Sequence, residues 1–576
     1  MKKTNLTIEL LRQVWHLTRS YWKSEEKKKA FLLLAAILVL NLGVVYMLVL
    51  LNEWNNAFYT ALQNYQTEEI FSQLWRFTKL AFTYIVLAVY AYYLQQTLIL
   101  NWRRWLTNRY MDEWLQSKTY YRLEMFGKDM DNPDQRISED VSLFVTRTLS
   151  FFIGIIKALC TLLSFVAILW QLSGPLSFQF MGRTWTINGY MVWVAVGYAV
   201  IGTYLTHKVG HRLVGLNFVQ QRYEADFRFS MMRMRENAES VAFYHGESHE
   251  RKVFGERFKR LLDNFWKIVQ KQKQLVWLNS GYSQIAIIFP FVVAIPRYLK
   301  KELTLGGLMQ VATAFGRVQE SLSYFVDVYA SLAEWQAVVD RLTSFGAHMQ
   351  AVREAGNQEH VERRFVNQPE IEIENLEVDL PNGQAILKPL SLTFEPGENV
   401  LIRGSSGSGK STLLRALAGI WPFARGKVTM PDFEHVMFIP QRPYLPLGKL
   451  RDAVLYPGTR HRTDEELKAL MTDCRIGYLA DRLDQEADWS HVFSVGEQQR
   501  LAFVRALIYE PAWLFMDEST SALDEDTEAA MYKLLAERLT KTTLVSVGHR
   551  STLTSFHQRA LTLNKQTGEA VLSDIG

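Results

Sequence analysis

Long apolar runs, separated by charged stretches, follow one another through residues 30–330 of the chain. An α-helix needs roughly 20 mainly apolar residues to cross the hydrocarbon layer of a membrane. Five runs of about that length predict membrane spans at residues 30–51, 80–100, 150–172, 190–206 and 277–297. A sixth run, residues 304–330, is interrupted by Gln310, Arg317, Glu320 and Asp327. We predict that it also spans the membrane and lines a polar interior, with a five-span protein as the alternative.

The charges of the connecting loops predict the orientation of these helices. Lysine and arginine are frequent in residues 1–29, 101–149 and 207–275 and sparse in residues 52–79 and 173–189. Because basic loops are retained in the cytoplasm, the N-terminus and the C-terminal domain are predicted to be cytoplasmic. Arg297, Lys300 and Lys301 break this pattern, since they fall in a loop assigned to the outer side.

The first 28 residues combine apolar and basic side chains at helical spacing. The apolar ones are Leu10, Leu11, Val14, Trp15, Leu17 and Trp22. This spacing predicts an amphipathic helix on the membrane surface. No cleavage site of small residues follows the basic start, so we expect the first span to be retained.

From about residue 345 the chain turns polar and a second fold is predicted. We assign residues 1–345 to a transmembrane domain, 346–367 to a linker and 368–576 to a further domain. In that domain, strand-like runs such as "IEIENLEVDL" and "NVLIRG" alternate with helical segments. Such alternation is typical of an α/β domain with a largely parallel sheet.

Composition and charge narrow the class of protein. The mean hydropathy of −0.07 is low for a protein that lies wholly in a membrane. We interpret it as the average of a lipid-embedded part and a water-soluble part. The net charge of +5 follows from the orientation of the loops, so a role in nucleic-acid binding loses its main support. Cys160 and Cys474 fall in different domains, which leaves no disulfide framework or zinc site. The soluble part therefore suits a reducing cytosol.

A glycine-rich stretch, "RGSSGSGKST" at residues 403–412, follows a strand-like segment and precedes a helix-like one. Its spacing is that of the loop whose backbone N–H groups surround nucleotide phosphates, with Lys410 reaching the β and γ phosphates and the Ser411 hydroxyl binding Mg²⁺. The residues expected around the phosphates are Gly404, Ser405, Ser406, Gly407, Ser408, Gly409, Lys410, Ser411 and Thr412.

Downstream, "WLFMDEST" at residues 513–520 is an apolar strand that ends in two carboxylates. We expect Asp517 to hold Mg²⁺ through water and Glu518 to orient or deprotonate the attacking water. Alone this motif is weak evidence for a nucleotide site. Its position downstream of the phosphate loop strengthens that evidence. The expected cofactors are ATP and Mg²⁺.

The segment "FSVGEQQR" at residues 493–500 resembles the signature of ABC transporter ATPases, which usually begins Leu-Ser-Gly-Gly-Gln. Phe493, Val495 and Glu497 depart from that form, whereas Ser494 and Gly496 are kept. The resemblance implies that Ser494 and Gly496 contact the γ-phosphate held by a partner subunit. Hydrolysis would then require a dimer.

Further elements resemble the same family in the expected order. Gln441 in "IPQRPY" is similar to the Q-loop glutamine that senses the γ-phosphate, binds Mg²⁺ and touches the membrane domain. Asp524 in "SALD" and His549 in "SVGHR" look like the D-loop aspartate and the switch histidine. The resemblance makes Glu518, His549 and Gln441 catalytic, although a lone histidine after a strand is usually a surface residue. Leu380 stands where the family usually stacks an aromatic ring on adenine, which puts nucleotide selectivity in doubt.

The first domain also carries a resemblance. The stretches "DNPDQRISEDV" and "ENAESVAFYHGE" are similar to the peroxisomal acyl-CoA transporters of subfamily D. "LNEWNNAFYTALQ" and the segment 303–342 are similar to the bacterial SbmA/BacA peptide-uptake proteins and their ATPase-fused, YddA-like relatives. The implied fold is an α-helical six-span exporter-type domain followed by a P-loop ATPase domain of RecA-like and helical parts.

Residues 236–251, "ENAESVAFYHGESHER", lie between two predicted spans. They resemble the coupling elements through which membrane helices contact the ATPase in this family. We expect Glu239, Phe243 and Tyr244 to anchor the segment and Gly246 to end its helix. The alternative is a solvated charged helix.

Two charged residues in or near the predicted spans each allow two interpretations. Lys157, in "FFIGIIKALC", lines a cavity for anionic groups or extends to the membrane surface. Glu53 contacts cationic substrates or protons, or is a solvated loop acid.

Together these features predict a homodimeric ABC half-transporter of the bacterial inner membrane, with an ATPase that drives the uptake of peptides or other hydrophilic solutes. Transport of acyl-CoA, fatty acid or lipid is the alternative. An ATP-gated channel or signalling protein is disfavoured by Glu518 and His549, and a soluble ATPase acting on DNA by the spans. Membrane lipid and a second copy are the expected partners, and the sequence does not name the substrate.

Overall fold

A computed structural model describes residues 2–126, 132–180, 183–357, 361–366, 368–458 and 460–575. The chain divides into two compact units. The helical unit comprises Met1–Asp112 and Asn132–Gly346, and the α/β unit comprises Glu113–Asp131 and Ala347–Gly576.

Helices of 3 to 53 residues form the helical unit. They are α1 Lys2–Trp22, α2 Lys27–Gln63, α3 Thr67–Leu115, α5 Pro133–Gln135, α6 Val141–Ser173, α7 Tyr190–Glu236, α8 Ala238–Phe243, α9 Glu247–Leu299 and α10 Leu305–Asn357. Two short strands, β1 Pro175–Phe180 and β2 Arg183–Asn188, pair antiparallel between α6 and α7. At 1.5 Å per residue, the 53 residues of α9 extend over about 80 Å, well beyond a hydrocarbon layer of about 30 Å.

Four segments of the described chain are long and apolar enough to cross a membrane. They are Lys27–Gln63, Thr67–Met125, Pro133–Ser173 and Glu247–Leu299. The predicted spans 190–206 and 304–330 lie within α7 and α10. That these two also cross the membrane, and that there are six spans in all, stays a prediction.

One arginine that breaks the charge pattern predicted for the loops has a structural role. Arg297, near the end of α9, donates through Nη1 to the carbonyls of Leu172, at 3.1 Å, and of Ser173. Its Nε donates to Glu302 at 3.1 Å. The last carbonyls of a helix have no partner within that helix. Arg297 therefore caps α6, which accounts for a basic residue in this loop.

Polar side chains join α2 to α10. Asn52 donates to the Gln310 carbonyl at 3.1 Å, and Asn56 donates to Gln310 Oε1 at 2.8 Å. Hydrogen bonds between helices satisfy polar groups that water cannot reach inside a membrane. The polar residues of "LNEWNNAFYTALQ" thus pair with α10, whereas Glu53 points away from this seam and is exposed.

Within the described residues, the α/β unit contains two main sheets, of six and four strands, and a separate pair of two short strands. Its strands are β3 Val361–Phe365, β4 Ile371–Asp379, β5 Ala385–Phe394, β6 Val400–Gly404, β7 Ala424–Met430, β8 Val436–Ile439, β9 Gly448–Lys449, β10 Glu486–Ala487, β11 Trp513–Asp517, β12 Thr543–Val547, β13 Arg559–Leu563 and β14 Ala570–Asp574. Its helices are α4 Thr119–Phe126, α11 Lys410–Leu417, α12 Leu450–Leu455, α13 Asp464–Asp473, α14 Trp489–Val492, α15 Val495–Tyr509 and α16 Glu525–Arg538.

The larger sheet has the order β14-β13-β6-β12-β11-β8 and the smaller one the order β3-β7-β4-β5. Strands β13, β6, β12, β11 and β8 run parallel, as the alternating pattern of the sequence predicts. The carboxyl ends of β6, β12 and β11 therefore meet at one edge. That edge is where ligands bind in open parallel sheets.

A short segment after α3 belongs to the α/β unit. Ser117 and Lys118 have φ of 54° and 57°, and this left-handed turn separates α3 from α4. Lys118 Nζ donates to the Ala418 carbonyl at 3.4 Å, and Met125 packs against the core around β6 and α11. Helix α4 is thus docked on the α/β unit of its own chain.

The turn after α8 corrects the expectation for Gly246. His245, with φ of 50°, occupies the left-handed position that ends the helix. Its N–H donates to Ala242 O at 3.1 Å and that of Gly246 to Val241 O at 3.0 Å, the paired bonds of a Schellman motif. Gly246 has φ of −82° and begins α9. The prediction that Gly246 ends the helix was therefore wrong by one residue.

Candidate nucleotide site

The phosphate loop lies between β6 and α11. Gly409 has φ of +94°, and a Cβ there would lie 2.4 Å from Ile386 Cγ2, so only glycine fits. Lys410 is buried, and its Nζ donates to the carbonyls of Gly404 at 3.0 Å and Ser405 at 3.2 Å. Ser408 is 3% exposed, and its Oγ has no hydrogen-bond partner among the described residues. A buried unpaired hydroxyl and inward-facing ammonium suit an anionic phosphate.

The predicted metal ligands lie side by side at the end of β11. Ser411 Oγ donates to Asp517 Oδ1 at 2.8 Å. Burial raises the pKa of Asp517, and the neighbouring Glu518 raises it further, while the Ser411 hydrogen bond opposes both. Burial lowers the pKa of Lys410. A hydroxyl and a desolvated carboxylate in contact form a donor set that suits Mg²⁺, which prefers oxygen ligands.

The three residues predicted to be catalytic meet at one carboxylate. Gln441 Nε2 donates to Glu518 Oε2 at 3.1 Å, and His549 Nε2 lies 3.3 Å from Glu518 Oε1. Glu518 itself has φ of 46°, a left-handed conformation that sharply redirects the chain after β11. The ends of β8, β11 and β12 thus supply one side chain each to the same site.

The signature serine begins α15. Ser494 and Glu497 form a capping box, in which Ser494 N donates to Glu497 Oε2 at 2.8 Å and Glu497 N donates to Ser494 Oγ at 3.4 Å. Phe493 is buried beside Trp489. The departures Phe493 and Glu497 therefore have structural roles. Within the described residues, no hydrogen bond joins Ser494 to the phosphate loop of its own chain.

Two remaining predictions fall on turns. Asp524 begins α16, where its side chain accepts from Thr527 N at 2.7 Å. Leu380 lies in the turn between β4 and β5, its N–H donating to the Gln384 carbonyl at 2.8 Å. Neither contact tests the nucleotide-binding roles expected for these positions.

Sequence reasoning missed Gln499, which is fully buried on α15. Its Nε2 donates to the Gln441 carbonyl at 3.2 Å and to Ser521 Oγ at 3.1 Å, and its Oε1 accepts from Ala522 N at 3.0 Å. One amide thus joins the signature helix, the Gln441 loop and the loop after Glu518. A glutamine directly beside the signature was the available signal.

Sequence reasoning also missed Glu528, which is 2% exposed on α16. It accepts from Thr520 Oγ1 at 2.5 Å and from Thr552 Oγ1 at 2.8 Å, and Arg550 Nη1 lies 3.6 Å away. The loops that carry Glu518 and His549 are therefore joined through one buried carboxylate.

Known protein families match both parts of the chain. The model of ABC transporter transmembrane region 2 matches residues 17–299, and the ABC transporter model matches residues 387–521. The inner membrane ABC transporter ATP-binding protein YddA of Escherichia coli is 33% identical, covering 93% of this chain and 94% of its own. The chloroplastic ABC transporter D family member 2 of Arabidopsis thaliana is also 33% identical, covering 96% of this chain and 86% of its own.

A more distant relative is the human lysosomal cobalamin transporter ABCD4, 29% identical over 81% of this chain and 80% of its own. Among solved structures, a bacterial Atm1-family ABC exporter with ATP bound has a TM-score of 0.70 and 17% identity, and the match covers 96% of each chain. At that identity the likeness shows the fold alone. It confirms the predicted class, a helical exporter-type domain followed by an ABC ATPase domain.

The chain therefore belongs to the ABC transporters. It is a half-transporter, with one membrane region and one ATP-binding domain, and its ATPase is coupled to transport across a membrane. The resemblance to YddA and to subfamily D is confirmed.

Proposed function

We propose that two copies of this chain form a homodimer that uses ATP to take up peptides or other hydrophilic solutes across a bacterial inner membrane. The observation that supports this most strongly is the constellation of Glu518, Gln441 and His549 beside the phosphate loop. These groups meet at the carboxyl edge of the sheet, where a γ-phosphate would lie.

In this proposal the loop 404–412 surrounds the phosphates, with Lys410 as the cation and Ser408 as a hydroxyl donor. Ser411, Asp517 and Gln441 hold Mg²⁺, which neutralises charge on the phosphate oxygens. Glu518 orients the attacking water, and His549 contacts the γ-phosphate. Asp524 contributes to the nucleotide site from the dimer interface, and adenine packs more weakly where Leu380 stands in place of the family's usual aromatic ring.

The second copy completes the site. Ser494 is exposed and is hydrogen-bonded within its own helix cap. Its hydroxyl and the N–H groups at the start of α15 are suited to a phosphate held by the other subunit, since a helix N-terminus favours anions. ATP would therefore join the two ATPase domains, and hydrolysis would release them.

Two cytoplasmic elements would pass this movement to the membrane helices. Helix α4 is docked on the α/β unit of its own chain. The tip around α8 instead exposes Phe243 (77%) and Tyr244 (86%). Large exposed aromatic residues at a loop tip mark an interaction site. We place this tip against the ATPase domain of the partner subunit.

Transport of peptides is favoured by the resemblance to the SbmA/BacA proteins, and inner-membrane placement by YddA, whose name states that location. The basic loops favour a cytoplasmic ATPase domain. Acyl-CoA or lipid is the second candidate because "DNPDQRISEDV" and "ENAESVAFYHGE" resemble the acyl-CoA transporters of subfamily D.

Transport into sealed vesicles tests substrate and direction together. The protein is reconstituted with its ATPase domains outward, and ATP is added outside to vesicles that contain a labelled hexapeptide, cobalamin or palmitoyl-CoA. Uptake predicts ATP-dependent loss of the peptide from the lumen, absent in Glu518→Gln. Accumulation of externally added peptide would reverse the direction, and movement of palmitoyl-CoA alone would replace the substrate.

A further inference from the structure

A polar cavity of about 330 Å³ lies among α7, α9 and α10 of the helical unit. Apart from one glycine, its lining side chains all carry a hydroxyl, an amide or a carboxylate. They include Thr206, Asn279, Ser283, Gln319, Glu320 and Ser323. Side chains with polar groups thus gather on helices that elsewhere present many apolar residues.

The cavity is far from the helix ends that face the outer side. Ser283 lies 16 residues before Leu299, the end of α9, and Glu320 lies 15 residues after Leu305, the start of α10. At 1.5 Å per residue these separations are about 24 and 22 Å. Thr206 is the last residue of the predicted span 190–206 and Asn279 is the third of the span 277–297, so the cavity lies at the cytoplasmic end of the predicted spans.

The polar face of α9 is distinct from its apolar face. Asn279, Tyr282 and Ser283 share one side of the helix, while Ile285 and Ile288, exposed by 57% and 59%, lie on another. In the described part of the chain, Ser283 and Ser323 form no side-chain hydrogen bond, and Thr206 and Asn279 are joined only at 3.5 Å. Hydroxyl and amide groups without a strong partner can hydrogen-bond a ligand, so this surface has capacity for one.

One wall of the cavity is fixed by a close contact between α7 and α9. A Cβ on Gly202 would lie 2.4 Å from the Tyr282 ring, so the ring occupies the space of that missing side chain. The Tyr282 ring stacks on Tyr198 at 4.4 Å, and each hydroxyl donates to the other residue's carbonyl, at 3.2 and 2.5 Å. A preformed wall lowers the entropy lost when a ligand binds.

The charges in and beside the cavity are of both signs. Glu320, whose side chain is 71% exposed, lies 2.8 Å from Arg317 one turn earlier on α10. The carboxylate retains open oxygen positions for a further cation. An acyl-CoA would need several cations for its phosphates, and the described lining residues include no lysine, arginine or histidine.

We propose that this cavity binds the amino-terminal end of a short hydrophilic peptide. Glu320 receives the terminal ammonium, and Asn279, Ser283 and Gln319 hydrogen-bond the backbone amides. The proposal rests on the proposed function in peptide transport and adds to it a binding site and the part of the substrate that is recognised.

Two matched substitutions on α9 test the site. Ser283 lines the cavity, whereas Ser280, exposed on the same helix, is outside its lining. The full-length protein in lipid nanodiscs is titrated with a glycine- and serine-based hexapeptide, and basal ATP hydrolysis serves as the test of folding. We expect Ser283→Leu to weaken peptide binding at least about tenfold and Ser280→Leu to leave it unchanged.

The contact with the ammonium has its own test. Glu320→Gln should lower the affinity for the free hexapeptide to that for its N-acetylated form, and should leave the affinity for the acetylated form unchanged. A peptide that binds Ser283→Leu as tightly as the wild type overturns the site. Absence of peptide binding to the wild type, with or without binding of palmitoyl-CoA, overturns the substrate class.

The vesicle experiment separates the two proposals. Peptide transport by the wild type together with normal transport by Ser283→Leu would disprove the cavity site and retain the transport function. Failure of the wild type to move peptide would disprove the proposed substrate.

Discussion

Gln441 Nε2 donates to Oε2 of Glu518 over 3.1 Å. His549 approaches the other oxygen of the same carboxylate at 3.3 Å. The loops after β8 and β12 thus both reach the residue that we expect to orient the attacking water. A γ-phosphate at this edge would contact all three groups, so binding of ATP would change the contacts that each of these loops makes.

Replacing Glu518 by glutamine tests the predicted base. Glu518→Gln keeps the hydrogen-bonding shape of the side chain but removes its charge and basicity. We expect ATP hydrolysis to fall by about 10²–10³ while ATP stays bound. Glu537→Gln, at an exposed ion pair on α16, is the control and should hydrolyse ATP at the wild-type rate. Equal rates in Glu518→Gln and wild type would require a different base.

The buried amide of Gln499 offers a second test. Gln499→Leu leaves Ala522 N and the Gln441 carbonyl without their partner, and each unsatisfied buried group costs about 1–3 kcal/mol. We expect kcat for ATP hydrolysis to fall at least about tenfold with little change in KM, because the hydrogen bonds that hold the loops around Glu518 in position are lost. The adjacent Gln498→Leu is the matched control, since its amide bonds only Ser490 and Phe493. A kcat equally reduced in both variants would show a merely structural effect.

Asp140 holds two arginines at the start of α6. Its oxygens accept from Arg136 and, at 2.9 and 2.6 Å, from Arg341 of α10, and the carboxylate is almost fully buried. Asp140→Asn removes a buried carboxylate that contacts both guanidinium groups, so we expect a loss of about 3 kcal/mol, read as a lower midpoint of thermal unfolding. Glu334→Gln removes a more exposed partner of Arg147 and should cost at most about 1 kcal/mol. An unchanged midpoint in Asp140→Asn would contradict the role of this cluster.

The exposed tip around α8 should couple ATP hydrolysis to peptide transport. Substitution of Glu239 or of Tyr244 by alanine is expected to reduce peptide transported per ATP hydrolysed about tenfold, with nucleotide binding retained, because the tip loses an exposed side chain that would contact the partner. Transport and hydrolysis are measured on the same vesicles, and the exposed Glu256→Ala on α9 serves as control. Normal transport in both tip variants would remove this segment from the mechanism.

Structural features that depend on a few adjacent residues could be predicted from the sequence. The phosphate loop needs glycines at set positions between a strand and a helix, and the structure places it between β6 and α11. Ser494 and Glu497, three residues apart, form a capping box that such spacing indicates. The fold class followed from the apolar runs and from the alternation of strands and helices.

Interactions between distant residues could not be predicted. The role of Glu528 depends on its hydrogen bonds with Thr520 and Thr552. The role of Arg297 depends on its hydrogen bonds to the end of α6, more than 120 positions away. The end of α8 was misjudged because glycine is the usual left-handed residue, yet His245 adopts that conformation and Gly246 does not. Such partners become visible only when the chain is folded.

The mass of the detergent-purified Glu518→Gln protein with ATP and Mg²⁺ tests the dimer most directly. The chain has a mass of 66.8 kDa. If two copies enclose ATP between the phosphate loop of one and Ser494 of the other, the protein mass is twice that value, and Ser494→Trp lowers the affinity for ATP. A mass of one chain at saturating ATP would contradict the shared site and, with it, transport by a homodimer.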